Sequence, residues 1–246
     1  MPDGSSPDPG PSASVRRLTH LADALGCRRY LEIGVNRGNT FLGLAIPERV
    51  GVDPHLAFDW QRHDGRDGIE LHACSSDEFF AALPAEQRFD LIFIDGLHTY
   101  EQTYRDILHA LFHSHRRTVI LIDDTLPSDV FSTMRDQQAC IEARHRLSGV
   151  IDASWHGDTY KVLPLLTVFH PDLRLLSLVD GGNPQTLLWR PPLPRPEDPL
   201  RTLQAMAAVQ NLAAADFLWL LTNLELWNLV SEAEGLATLL QDLGVG

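Results

Sequence analysis

The residues of this chain best placed to do chemistry stand where short apolar runs end. Asp95, Gly96 and His98 follow Leu91-Ile-Phe-Ile94, and Asp123 with Asp124 follows Thr118-Val-Ile-Leu-Ile122. Asp53 closes the run that begins at Arg49, and Tyr30-Leu-Glu-Ile33 opens into Gly34-Val-Asn-Arg-Gly38. Apolar runs this short, bounded by glycine and carboxylate, predict buried strands. Ligands of open α/β sheets gather beyond the C-terminal ends of the strands. The spacing therefore predicts one shared site.

Three carboxylates brought together, Asp95, Asp123 and Asp124, repel unless a cation neutralises them or some take up protons. Hard oxygen donors with room for water suit magnesium. The alternative for Asp123-Asp124 is a polar strand end that caps the turn after it. His98 has an ordinary pKa near neutrality, which suits a general base. Its alternative is a positioning residue that moves no proton. Glu32 to Gly38 has the form E-x-G-x-x-x-G, in which glycines allow positive φ and close backbone approach. A tight turn and nothing more is the plain reading of that loop. Asp53 at the end of the next run can accept hydrogen bonds from both hydroxyls of a ribose, and the G-x-G-x-x-G of dinucleotide binders is missing. A ligand with a ribose and no pyrophosphate fits.

The elements that must position these groups alternate between strand and helix, which predicts a doubly wound, mostly parallel α/β sheet with right-handed crossovers. Helices are expected over Val15–Leu25, Asn39–Ala45, Tyr100–Phe112 (Tyr104, Ile107, Leu108 and Leu111 inward) and Asp129–Arg146 (Phe131, Met134 and Ile141 inward). Another starts behind Ser76 as N-cap. Ile69–Ala73, Tyr160–Val168, Leu173–Leu178 and Thr186–Trp189 read as further strands, the last ones with an antiparallel pair. Trp155–Lys161 either borders an acceptor pocket or makes a hairpin turn. His109, His113 and His115 read as surface residues.

Residues 1–14, rich in Pro, Gly, Ser and Asp, read as a disordered tail, and 191–199 as a stiff Pro-rich linker. Beyond it, 200–246 reads as a helical appendage. Its segment Asp216–Val230 is apolar around most of a helix, so Phe217, Leu221, Leu224 and Trp227 either pack on their own domain or make a homo-oligomer contact. A formal net charge of −13 over 246 residues argues against nucleic acid or an anionic membrane surface as partner. Three widely spaced cysteines, no signal-peptide pattern and no apolar run of spanning length lead to a cytoplasmic expectation.

The segments YLEIGVNRG, GVDP, CSSDEFF, FDLIFIDGLHTYE and VILIDD occur in order over about 30–161. Together they resemble the class I S-adenosylmethionine-dependent methyltransferases, and within them the small-molecule O-methyltransferases of the catechol, sugar and natural-product types. The resemblance implies a seven-stranded-type, Rossmann-like methyltransferase domain over 15–190. It implies Glu32, Gly34, Asn36 and Gly38 around the methionine part of the cofactor and Asp53 at its ribose. Ser76 and Asp77 would lie at the adenine, although Asp77 also reads as a helix-start charge. Asp95 would border the cofactor and, with Asp123 and Asp124, hold magnesium. Catechol-type enzymes carry Asn where this chain has Asp124, and a Lys base where it has His98. The expected function is methyl transfer to a hydroxyl of a small-molecule acceptor, a sugar or other natural product before a catechol. The alternatives are a metal-independent O- or N-methyltransferase, a non-catalytic cofactor-binding protein, or a nucleotide-dependent oxidoreductase.

Overall fold

Each predicted central strand forms where its apolar run lies, because both faces of that run are covered. The computed structural model of the chain describes residues 10–193 and 199–245. Its elements are α1 (Ala13–Leu25), β1 (Arg29–Ile33), α2 (Asn39–Leu42), β2 (Glu48–Val52), β3 (Ile69–His72), α3 (Ser76–Ala82), β4 (Phe89–Ile94), α4 (Tyr100–Phe112), β5 (Ser114–Ile122), α5 (Gln137–Ser148), α6 (Val162–Phe169), β6 (Arg174–Leu178), β7 (Gln185–Trp189), α7 (Pro199–Gln210), α8 (Phe217–Thr222), β8 (Leu229–Val230) and α9 (Glu232–Asp242).

The strands form one sheet in the order β3-β2-β1-β4-β5-β7-β6-β8. β1 to β5 are parallel, β7 runs antiparallel between β5 and β6, and β8 lies parallel to β6. Alternate side chains point to opposite faces. Leu31, Ile33, Ile92, Ile94, Ile120 and Ile122 enter one core with residues of α3, α4 and α6. Tyr30, Leu91, Phe93, Val119 and Leu121 enter the other, with residues of α1 and α9. Strand order reverses between β1 and β4, which opens a crevice at the carboxyl edge.

Several expectations need correction. α1 begins at Ala13, behind an Ser12 hydroxyl that accepts from Val15 N (3.3 Å), so the tail boundary moves back; residues 1–9 lie outside the described residues. The cap of α3 is Ser75, not Ser76, in a reciprocal capping box with Glu78. On α4, Ile107 is buried and Tyr104 and Leu111 pack against the core as expected, Thr103, Asp106 and Ala110 join them, and of those expected inward only Leu108 is exposed. α5 starts only at Gln137, because Asp129 accepts from Ser132 N in a separate turn and Asp136 caps Ala139 N. Its buried residues are Cys140 and Arg144, while Met134 is exposed. Tyr160–Val168 is a helix, α6 with a short turn before it, not a strand. Val162 to Thr167 are all buried, and a segment covered on every side has no periodicity to read. His113 is buried and bound to the Gln87 carbonyl.

The C-terminal region also differs. Asp216–Val230 is not one helix: α8 ends at Thr222, a 3-10 turn covers Leu224–Trp227, and β8 adds an eighth strand. Leu226 and Trp227 are fully buried in the same core as β4 and β5. Trp227 Nε1 donates to the Thr125 carbonyl at 2.6 Å, one residue beyond Asp124. Trp227 is thus used by its own chain, whereas Leu218 and Leu221 stay exposed. Most of the Pro-rich linker, 194–198, lies outside the described residues. Replacing Trp227 by Ala removes a buried aromatic and an indole hydrogen bond, for an expected loss of about 3–5 kcal/mol. Urea unfolding measures it; a loss below about 1 kcal/mol would show that the C-terminal segment is not part of the core.

Candidate active site

Three strand-to-helix turns line one cavity of about 700 Å³ at the carboxyl edge. After β1, Gly34 takes φ 93°, and a Cβ there would stand 1.8 Å from the Asp95 carbonyl oxygen, so only glycine allows β1 and β4 to close at this point. Asn36 (φ 45°) and Gly38 (φ 74°) turn the chain into α2. Asp53, at the tip of β2, ties this loop down: Oδ2 accepts from Asn36 N (2.8 Å) and Oδ1 from His55 N (2.6 Å). A carboxylate oxygen can accept more than one bond, so capacity remains for a ligand hydroxyl.

Gly34, Asn36, Asp53, Ser76, Asp95 and His98 all border the cavity. Glu32 does not. Its buried carboxylate takes a 2.6 Å bond from Tyr30 Oη, and burial pushes its pKa well above the usual range. Gly38 and Asp77 also stand off the wall; Asp77 is held by Arg105 and, at 3.3 Å, by Gln102. Sequence reasoning missed Ser75, Gln102 and Asp106 on the wall, whose roles come from packing α3 against α4.

At the other end, the chemical groups are arranged differently from the expected trio. Donor atoms of Asp95, His98 and Asp124 lie within 4.8 Å of one another. His98 Nδ1 is 3.1 Å from Asp124 Oδ2 and 3.1 Å from the Trp155 carbonyl, and Nε2 is 3.5 Å from Asp95 Oδ1. Asp123 is outside this set. Its Oδ1 accepts from Asn183 and from Asp124 N, and its Oδ2 accepts from Gln185 Nε2 (3.1 Å). It caps the strand end, as its alternative reading had it, while Asp124 at φ 58° turns back toward His98.

The charges follow from burial. Desolvation, with like charge from Asp123, raises Asp95 to about 6. Desolvation raises Asp123 and Asp124 to about 7, with Asp124 acting on Asp123 and Asp95 acting on Asp124. For His98, burial works downward, but the bond to Asp95 and the charges of Asp124, Asp95 and Asp123 win and lift it to about 9. The near-neutral pKa expected for His98 is therefore displaced upward. Beside the cluster, buried His156 has Nε2 3.7 Å from Asp124 Oδ1 and an Nδ1 with no hydrogen-bond partner.

The segment after α5 holds His98. The Trp155 indole stacks on the imidazole at 4.5 Å and 7°. Gly157 (φ 58°) passes so close that a Cβ would meet the His98 carbonyl oxygen at 1.8 Å. Asp158 N donates to that carbonyl (3.1 Å), and Asp158 Oδ1 accepts from Tyr100 N (3.0 Å), which supplies the cap that Thr99 does not give α4. Trp155 thus borders the cavity with one face on His98, and buried Asp158 is a support for the site, not a binder of hydroxyls.

Residues 31–125 match the family model described as a methyltransferase domain. Among curated proteins, none matches the chain by sequence. The fold is similar to that of the O-methyltransferase from Bacillus cereus in complex with SAH, at 17% identity and TM-score 0.51, covering 76% of this chain and 84% of that one. It is also similar to cofactor-bound Rv0187 from MTB, at 23% identity and TM-score 0.51, covering 75% and 83%. Residues 31–125 are thus similar to a methyltransferase domain, and they lie within a fold that this chain shares with both structures.

Proposed function

We propose that this protein transfers a methyl group from S-adenosylmethionine to a hydroxyl of a small molecule, a sugar or other polyhydroxylated natural product. One observation carries the reading: a single cavity has Asp53 at one end and Asp95 with His98 at the other. Its volume of about 700 Å³ suits a nucleoside-sized cofactor with an acceptor beside it. S-adenosylmethionine supplies a methyl group already activated by its sulfonium. Asp53 orients the ribose, and the turn from Gly34 to Asn36 lets the backbone approach the cofactor.

Asp95, His98 and Asp124 fit a divalent cation: two carboxylates repel there, and an imidazole stands within reach. Asp123 fits poorly, since both its oxygens are engaged by amides. A cation in this set would lower the pKa of the acceptor hydroxyl and fix its line of attack. One imidazole among the donors suits manganese as well as magnesium. A second reading needs no metal. It is favoured by the contacts of His98 Nδ1 with Asp124 and the Trp155 carbonyl, which leave Nε2, 3.5 Å from Asp95 Oδ1, as the nitrogen that would take the hydroxyl proton once the ring is neutral.

Asp53→Ala should weaken S-adenosylhomocysteine binding by about 1.5–3 kcal/mol in calorimetry; wild-type affinity in that variant would remove Asp53 from the ribose. His98→Ala should keep cofactor affinity and lower kcat by about 10²–10⁴, with little rescue by Gln. Unchanged kcat would make His98 a positioning residue. Exhaustive EDTA treatment separates the two readings. Activity lost and restored by a divalent cation supports the first, and full activity, rising with pH toward about 9, supports the second.

Stability should report the same crowding. Asp95, Asp123 and Asp124 titrate above 3.8 in the folded protein and His98 above 6.5, so the folded state binds the extra protons. Their contribution is full below those ordinary values and is lost as pH rises through about 6 to 9. The Tm of EDTA-treated protein should fall over that window, and Asp124→Asn should flatten the decline. A Tm that rose with pH there would contradict the charge assignment.

A further inference from the structure

On the cavity wall beside Ser76 and Gly96, α4 contributes a carboxylate that neither the sequence motifs nor the chemistry above uses. Asp106 is buried to 1% exposure and yet borders the cavity. It stands one turn after Gln102, and the Gln102 amide nitrogen donates to Asp106 Oδ1 (3.0 Å) and Ser76 Oγ (3.1 Å). The guanidinium of Arg105, its neighbour in the chain, pairs with Asp77 instead. Oδ2 faces Gly96, where an added Cβ would lie 3.5 Å from it.

The order of the strand ends says what comes to lie there. Along the crevice the turn after β3 (Ser75, Ser76) is followed by that after β2 (Asp53), then β1 and β4. A nucleoside with its ribose on Asp53 and its reacting end at Asp95 must extend its base toward Ser76 and Asp106. This step rests on the cofactor reading above. A buried carboxylate with no cation against it is costly unless donors reach it. Burial pushes Asp106 above its usual range, against bonds from Ser76 and Gln102 and the charge of Arg105. One more N–H from a ligand would complete its set. Of the bases, adenine and cytosine present an exocyclic amine, and hypoxanthine and uracil present a carbonyl oxygen at the same position.

We propose that Asp106 is the residue that selects adenine, its Oδ2 accepting a hydrogen bond from the exocyclic amine of the cofactor. Gln102 fixes the carboxylate in place, and Ser76 belongs to this support as much as to the ligand. The selection is a matter of donor and acceptor. An amine fits against the carboxylate, and a carbonyl oxygen in its place meets another acceptor, which leaves the buried carboxylate short of a donor.

The test is calorimetric binding of two probes to the full chain: S-adenosylhomocysteine and S-inosylhomocysteine, which differ in that amine. Wild type should prefer the adenosyl compound by about ten- to a hundredfold, the value of one hydrogen bond to a charged group. Asp106→Asn can turn its amide to donate to a carbonyl, so it should bring the two affinities within a few-fold or reverse them. Equal binding of both probes by wild type would overturn the proposal without recourse to any variant. So would Asp106→Asn with the wild-type preference intact, since Asp106 would then only join α4 to α3. Binding of neither probe by wild type would sink the cofactor reading itself, and this inference with it. If Asp106→Asn does not fold, Gln102→Leu tests the same point: a carboxylate freed from its amide should lose most of the preference.

Discussion

Negative charge buried at the carboxyl edge of the sheet is the constraint to which the surrounding elements answer. Parallel β4 and β5 end side by side, so Asp95, Asp123 and Asp124 come together whatever else the chain does. Three ionised carboxyls cannot share such a space unaided. The protein divides them. Asp123 is satisfied from behind by Asn183, just before β7, and Gln185, its first residue, which arrive through the antiparallel pairing of β7 with β5. Both residues are held in turn by Arg17 of α1, fully buried, which donates to the backbone carbonyl of Asn183 and to Gln185 Oε1 (2.8 Å) and pairs with Glu232 of α9. The first and last helices thus support one carboxylate of the site.

That division leaves Asp95 and Asp124 with His98, and it explains why so much structure is spent on one imidazole. A side chain between two carboxylates would follow whichever lost its proton first. The stacked Trp155, its carbonyl and the close pass of Gly157 confine it to one orientation. Asp158 extends the restraint to the backbone by capping α4, the helix whose N-terminus follows His98 directly. Groups arranged in this way are preorganised: their orientation is fixed during folding, before a substrate arrives.

The legible parts of the sequence were those decided over short spans. β1, β2, β4 and the ends of α4 follow from local apolar runs and turn residues, and Gly34, Asp53, Asp95 and His98 follow from where those runs stop. α6 reads as a strand in the sequence because a segment buried all round looks the same in either form. Asn183, Gln185, His156 and Arg17 carried no local signal. Each acquires its role from a contact tens of residues or more away, such as the 62 positions that separate Gln185 from Asp123. The exchange of His98 for Asp123 in the cluster is of the same kind. Two adjacent aspartates at a strand end must point in different directions, and only the neighbours of each decide which one faces the cavity.

The two halves of the cavity are supported by different parts of the fold. Asp53, Asn36 and Gly34 are set by backbone contacts among β1, β2 and β4, elements inside the matched domain. His98 and Asp124 depend on 153–158 and 183–185, outside it. A chain can therefore keep the first half while the second varies, because nothing that holds Asp53 passes through Trp155 or Asn183. The physical consequence is that a change in the later segments would alter the surroundings of Asp95, His98 and Asp124 and leave the Asp53 end of the cavity intact. In this protein those segments supply a tryptophan, a buried histidine and two amides around one carboxylate pair. The orientation of His98 and Asp124 is set there more than in the segment that carries Asp53.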